Sequence, residues 1–238
     1  MKTSPYIFCC IAALASMAHT PVRADGMVPE TSIVIVHEAD GEASLRVRND
    51  DSRVALLLVD LQDIPEDEEP LLFLTQPAWR VEAGKEQVVR FILRTDIPLT
   101  TQRLKRVVFE GVPAVLEADG EPSRVGVSIR QNLPVLIHPK GLDFDRTPWT
   151  RLHWRVLDDA LQVHNPSPYV VRLAQELVLQ PSGQQVRLPR GYILPGEALR
   201  VALEQGIHAP VERVRLFPAR VYGAATQFHE ASLRQPDH

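Results

Sequence analysis

After position 25 the apolar residues of this 238-residue chain recur at every second place or in short runs. No stretch holds the three-and-four spacing of an amphipathic helix. Period two is the spacing of strands with one buried face. The 20 prolines, against 12 glycines, are spread through the chain and cut it into many short segments, which suits strands and turns better than long helices. Seven strands are expected at 31–37, 43–49, 54–62, 71–75, 87–94, 104–111 and 124–133. A second series is expected at 151–157, 161–165, 169–180, 184–189, 198–203, 213–219 and 225–233. Between the two lies HPKGLDFDRTPWT, with prolines, a glycine and charges but no period, which is a linker pattern. The fold class that follows is all-β, with two immunoglobulin-like β-sandwich domains at 25–138 and 139–238, each of about 100 residues.

The first 24 residues carry a different signal. A basic start at Lys2, an apolar stretch from Tyr6 to Ala18 and small residues at Val22 and Ala24 make a secretory signal peptide over 1–24. The expectation is export, with a mature chain beginning near Asp25 and no membrane span. Both cysteines, Cys9 and Cys10, fall within that segment, so the mature chain has no disulfide to draw on. Lys2 and Arg23 leave with it, reducing 26 basic residues to 24 against 30 acidic ones, a net charge of −6. That sign argues against a nucleic-acid partner.

Enzyme chemistry finds little purchase. There is no cysteine nucleophile after the signal, no GxSxG elbow, no P-loop and no GxGxxG fingerprint. His37, His138, His153, His164, His208, His229 and His238 are scattered without HxxxH or HxH spacing, so no metal set is expected. Asp143 with Asp145, and Asp158 with Asp159, are turn carboxylates rather than an acid–base pair. The acidic run at 66–70 sits between two apolar strands as a solvated loop, and Asp67, Glu68 and Glu69 lack the alternating spacing of a calcium loop. The sequence offers no catalytic residue and no cofactor motif. A non-enzymatic role follows.

The informative segment is Arg124 to Pro139, where Val125, Val127 and Ile129 alternate with Gly126, Ser128 and Arg130 before Leu133 and Pro134 break the pattern. On an edge strand such a row would be an adhesive ridge beside unpaired backbone groups, a feature proteins normally blunt. Here the chain resembles the PapD-like periplasmic pilus chaperones of chaperone-usher systems. The resemblance is carried by the opening hairpin at 32–49 ending in Asn49, by QPAWRVEAGKEQVVRFI at 76–92, by LKRVVFEGVP at 104–113, by VHNPSPYVV at 163–171 and by ILPGEALRV at 193–201.

That resemblance implies a chaperone that binds pilus or fimbrial subunits by donor-strand complementation and hands them to an outer-membrane usher. Subunits of that kind lack their last strand, and the donor strand fills the gap, with Val125, Val127 and Ile129 as donor residues. It also implies departures. The family's usual arginine and lysine anchor for the subunit carboxylate falls at Ile33 and Pro134, so the clamp is missing and the chain resembles a divergent branch. Arg106, Arg130 and Lys105 are the substitutes, with Arg106 favoured because divergent members carry an arginine at that place. Pro134, lacking an N–H, is expected to end the donor register. Gly111 and His138 fall where the interdomain charge cluster has a glutamate and an arginine. An exposed apolar edge also invites two free copies to pair through it as a self-capping dimer. The alternative reading is an exported β-sandwich binding module for a glycan or a cell-surface protein, which would leave VHNPSPYVV beside a donor-like strand unexplained.

Overall fold

The computed structural model describes residues 26–113, 129–157, 160–203, 206, 210–219 and 228–233. The signal segment and two of the three donor positions, Val125 and Val127, lie outside the described residues. The first half contains β1 (Met27–Pro29), β2 (Val34–His37), β3 (Glu42–Asn49), β4 (Ala55–Gln62), β5 (Leu72–Leu74), β6 (Ala78–Val81), β7 (Glu86–Leu93), β8 (Arg103–Pro113) and β9 (Ile129–His138). The second half contains β10 (His153–Leu157), β11 (Ala160–His164), β12 (Val171–Arg172), β13 (Glu176–Gln180), β14 (Gln185–Arg187), β15 (Tyr192–Ile193), β16 (Ala198–Ala202), β17 (Arg213–Leu216) and β18 (His229–Ser232). Among the described residues the one helical segment is a 3-10 turn at Pro148–Arg151, which buries Trp149. No described helix is long and apolar enough to cross a membrane.

Alternation builds each layer. On β3, Leu45, Val47 and Asn49 are buried while Ser44, Arg46 and Arg48 face water. β7 opposes it in antiparallel register and repeats the pattern with Val89, Phe91 and Leu93. The opening segment changes layers: β1 pairs with β3, and five residues later β2 runs parallel to β9. The strand order across the first half is β5-β7-β3-β2-β9-β8-β4-β6. In the second half β10-β11-β16 and β14-β13-β17-β18 form the larger sheets, and β12 pairs with β15. Two buried apolar clusters fill these sandwiches, one drawn from Met27 to Ile137 and the other from Trp149 to Leu216.

Each half closes one loop with the same device. The buried Asn49 side chain donates to the carbonyls of Arg53 and Val81 and accepts from the Asp51 N–H, while the residue's main-chain carbonyl takes the N–H of Gly84, whose φ is +69°. The buried Asn165 side chain donates to the carbonyls of Tyr169 and Leu194 and accepts from Ser167, while its main-chain carbonyl takes the N–H of Gly196 at φ +73°. A buried amide with every group satisfied fixes a loop far more firmly than polarity alone, and only glycine holds that backbone angle without strain. Thus NPSPY and LPGE, distant in sequence, meet in space.

Two expectations change. The segment 169–180 is not one strand but β12 and β13, because Val171–Arg172 pairs with β15 while Val178 onward pairs with β17. The strand expected to stop at 133 runs on: β9 stays paired with β8 from Ile129 to Ile137, with Arg106 opposite Pro134. β2 joins the other side of β9 only from Val135, so position 134 borders an unpaired edge, where a strand tolerates proline.

Candidate functional site

β9 presents two different stretches. From Val135 to His138 it is flanked by β8 on one side and β2 on the other. From Ile129 to Pro134, among the described residues, β8 is its one strand neighbour. The second side is therefore an open edge of backbone donors and acceptors, ready to template another strand. The inward-facing row runs Ile129, Gln131, Leu133, Val135, Ile137. Its last three members are 7%, 0% and 0% exposed, whereas Ile129 is 45% exposed. The apolar row thus continues beyond the point where its own core can cover it.

The rim of the sandwich fixes where that happens. β1 passes so close to β8 that a Cβ on Gly111 would lie 2.9 Å from Met27 Cγ, so the close approach requires glycine. Gln131 reaches across to donate to the Met27 carbonyl. Beyond this closure, Ile129 has Gly26 beside it and solvent on the remaining side.

The outer face of the same strands turns toward the second half of the chain. Ile33, Ile64, Leu104 and Leu136 pack with Val170, and Tyr192 and Leu194 join them. Gln102 braces the seam. Its backbone N–H donates to the Pro168 carbonyl (2.8 Å), its Oε1 accepts from the Val170 N–H (2.9 Å), and its Nε2 lies 3.0 Å from His138 Nδ1. His138 Nε2 donates to the Leu142 carbonyl at 2.8 Å, which leaves Nδ1 to accept from Gln102. The acidic run also crosses the seam rather than being only a solvated loop. Glu66 accepts from Arg190 and from the Tyr192 hydroxyl, each at 2.8 Å. Burial, and next the bond to Glu66, push the Tyr192 phenol up to about 12.

Arg106 sits on this outer face, near the seam. Its Nε donates to Asn132 Oδ1 (2.7 Å) and its Nη2 to the Asn132 carbonyl (2.9 Å), which fixes the guanidinium plane. Burial lowers its pKa from the usual arginine value. Arg130 is mostly exposed near the start of β9 and pairs with Glu110 at 3.0 Å. Lys105 faces the opposite way: 2% exposed, it lies 2.7 Å from Asp63 and 3.1 Å from Asp67, so its charge is already matched inside the first sandwich. Burial pushes the Asp67 carboxyl up, but hydrogen bonds from Arg103 and Lys105 outweigh it and hold the group below the ordinary carboxylate range. Ile33 belongs to the apolar seam, not to a charged clamp. Gly111 lies at the far end of β8 from the seam, and the residue facing His138 is Gln102.

Sequence reasoning missed Gln102, Glu66, Arg172, Arg190 and Tyr192. The bonds that join Gln102 to His138 and Glu66 to Arg190 and Tyr192 span 36 to 126 residues, so no local period marks them. Among the described residues no cluster of His, Cys, Asp and Glu could hold a metal ion.

Comparison with known proteins agrees with this geometry. The family model described as the pili and flagellar-assembly chaperone, PapD N-terminal domain, matches residues 26–143. The model of the pili assembly chaperone PapD C-terminal domain matches 147–228. The fimbrial chaperone YhcA of Escherichia coli K12 is 48% identical over 162 residues, 68% of this chain and 71% of that protein. The chaperone protein FimB/FhaD of Bordetella pertussis is 26% identical over 183 residues, 68% of this chain and 70% of that one. Among solved structures, a chain of the Salmonella enterica complex of SafA pilin with the SafB chaperone superposes with a TM-score of 0.71 at 19% identity, over 89% of this chain and 98% of the other. The CupB2 chaperone of Pseudomonas aeruginosa gives 0.68 at 22% identity, over 87% and 100%.

Proposed function

The chain belongs to the PapD family of pili assembly chaperones, and from that premise we propose that it works by lending part of β9 to an incomplete fold. It is a non-enzymatic chaperone of pilus-subunit assembly. The guest is a fimbrial subunit missing a strand, and its groove receives Val125, Val127 and Ile129 while its backbone pairs along the open edge. The observation that carries this reading is the row that leaves its own core at Ile129 beside an edge unpaired up to Pro134. Covering what Ile129 exposes contributes about 1 kcal/mol, and each wholly buried valine adds roughly 1.5 to 3 kcal/mol before ordering costs.

The edge becomes blocked where β2 joins at Val135, so a guest strand ends next to Pro134, the cross-strand neighbour of Arg106. Of the three basic residues considered, Arg106 is the one placed to meet a carboxylate there. Arg130 and Lys105 already have acidic partners. The domains are taken as 25–138 and 139–238. Export to the periplasm by a signal peptide at 1–24, transfer of the subunit to an outer-membrane usher, and pairing of two free copies through the open edge complete the proposal.

The test is co-expression with fimbrial subunits followed by affinity purification. Val127→Asp and Ile129→Asp should each fold as the parent does, judged by circular dichroism and melting, yet recover less than a tenth of the subunit. Recovery at the parental level by both variants would remove β9 as the donor.

A further inference from the structure

The open edge of β9 offers few main-chain groups. The Glu38 N–H donates to the His138 carbonyl, so His138 turns its main-chain groups toward β2, and every second residue along the strand turns the same way. In the open stretch those residues are Arg130, Asn132 and Pro134, while Ile129, Gln131 and Leu133 direct theirs toward β8. Pro134 has no N–H to offer. Before the junction with β2, a second strand can therefore use the N–H and carbonyl of Arg130 and of Asn132.

One of these four groups is already taken. Arg106 stands on β8 opposite Pro134, yet its Nη2 donates to the Asn132 carbonyl at 2.9 Å and its Nε to Asn132 Oδ1 at 2.7 Å. Since that carbonyl points away from β8, the side chain has to cross β9 to reach it. The two bonds fix the guanidinium plane and lay a positive charge on the edge, and charged side chains at an unpaired edge are one way a sheet is kept from adding strands. The hold is also of a releasable kind. Arg103, Lys105 and Arg190 are tied down by carboxylates, whereas Arg106 is held by neutral acceptors and has no carboxylate partner among the described residues. A neutral amide lacks the Coulomb attraction that a carboxylate adds. Ile129, 45% exposed beside the same edge, is the adhesive part that makes such cover useful.

We propose that Arg106 guards the donor edge of the free protein: by occupying the Asn132 carbonyl it weakens pairing of that edge with the same edge of a second copy. This rests on the strand-donor reading, in which the edge awaits a guest, and adds what holds it apart from its own kind until then. A two-fold pair contains two such carbonyls, so the guard withholds two main-chain bonds from it.

The test follows the free protein, without subunit, by sedimentation velocity over a range of concentrations. Arg106→Met keeps the length and the apolar stem of the side chain but has no donor. It should tighten self-association about tenfold, the contribution of two main-chain bonds regained. Asn132→Ala, at an exposed position, loosens the guard by removing Oδ1 alone and should tighten association less. Both effects should persist at about 1 M salt, where repulsion between exposed charges is screened. Residue-resolved hydrogen exchange should find the amides of Arg130 and Asn132 protected in the associated Arg106→Met protein. A folded Arg106→Met, or Asn132→Ala in its place, that associates no more tightly than the parent overturns the guard. So does a difference that disappears in salt, or pairing that leaves those two amides unprotected, and none of these results bears on subunit capture. Tightened pairing through Arg130 and Asn132 in a protein whose Val127→Asp and Ile129→Asp variants both recover subunit at the parental level would keep the guard and sink the strand-donor reading.

Discussion

Replacing Gln102 by leucine tests whether the two sandwiches act as one body. The side chain is 5% exposed, and its amide serves both halves, accepting from the Val170 N–H and donating to His138 Nδ1. Leucine is close in size but offers neither group. Val170, 4% exposed, would keep a buried N–H without an acceptor, and His138 would lose its donor. Each orphaned buried partner costs about 1 to 3 kcal/mol, while the new apolar contact with Leu136 and its neighbours returns about 1 kcal/mol. The expected net loss is roughly 1 to 5 kcal/mol. Because the bond to Val170 crosses the seam, the loss should appear as uncoupling. In urea, the fluorescence of Trp149 and Trp154 in the second sandwich should report a transition separate from that of Trp79 in the first, using single-tryptophan versions of the chain. A change below about 0.5 kcal/mol with coincident transitions would refute the idea that this amide braces the seam.

Further outcomes follow from the buried charges. Asp67→Asn leaves Lys105 with Asp63 as its one carboxylate and Arg103 with Glu69, and should cost about 3 kcal/mol in urea unfolding at neutral pH. Since the folded Asp67 carboxyl lies below its unfolded value, its contribution is present above about pH 4 and is lost as pH falls through the folded value. The parent should therefore lose stability in acid more steeply than Asp67→Asn, and parallel profiles would count against the network. Tyr192, pushed up to about 12, works in the opposite direction, with stability intact below pH 10 and lost as pH rises toward the folded value. Tyr192→Phe should flatten the alkaline part of the stability profile, and an unchanged alkaline slope would show that the phenol ionises equally well folded and unfolded.

The strands were legible because burial of one face writes itself into alternate residues. Leu45, Val47 and Asn49 against Ser44, Arg46 and Arg48 is such a stretch, and Val89, Phe91 and Leu93 is another. The short β6 and β15 were not, since strands of four and two residues carry no usable period. The layer change between β1 and β2 was equally hidden, because Met27 and Val34 are both apolar core residues whichever sheet they join. At the site, alternation marked Ile129 but could not say that the sandwich ends before it. That depends on Met27 closing over Gly111. Arg172 was invisible for a related reason: within YVVRLAQELVLQ it occupies the polar place of an alternating run, and nothing local marks that its Nη1 is buried with no hydrogen-bond partner among the described residues.

Amide hydrogen exchange across β9, with and without a bound fimbrial subunit, tests the strand-lending account most directly. The account predicts that the residues of 129–133 whose N–H points away from β8 exchange readily in the free protein and become strongly protected in the complex, while residues 135–138, already held by β2 and β8, are protected in both states. A tight complex that leaves residues 129–133 as exchangeable as before would contradict it.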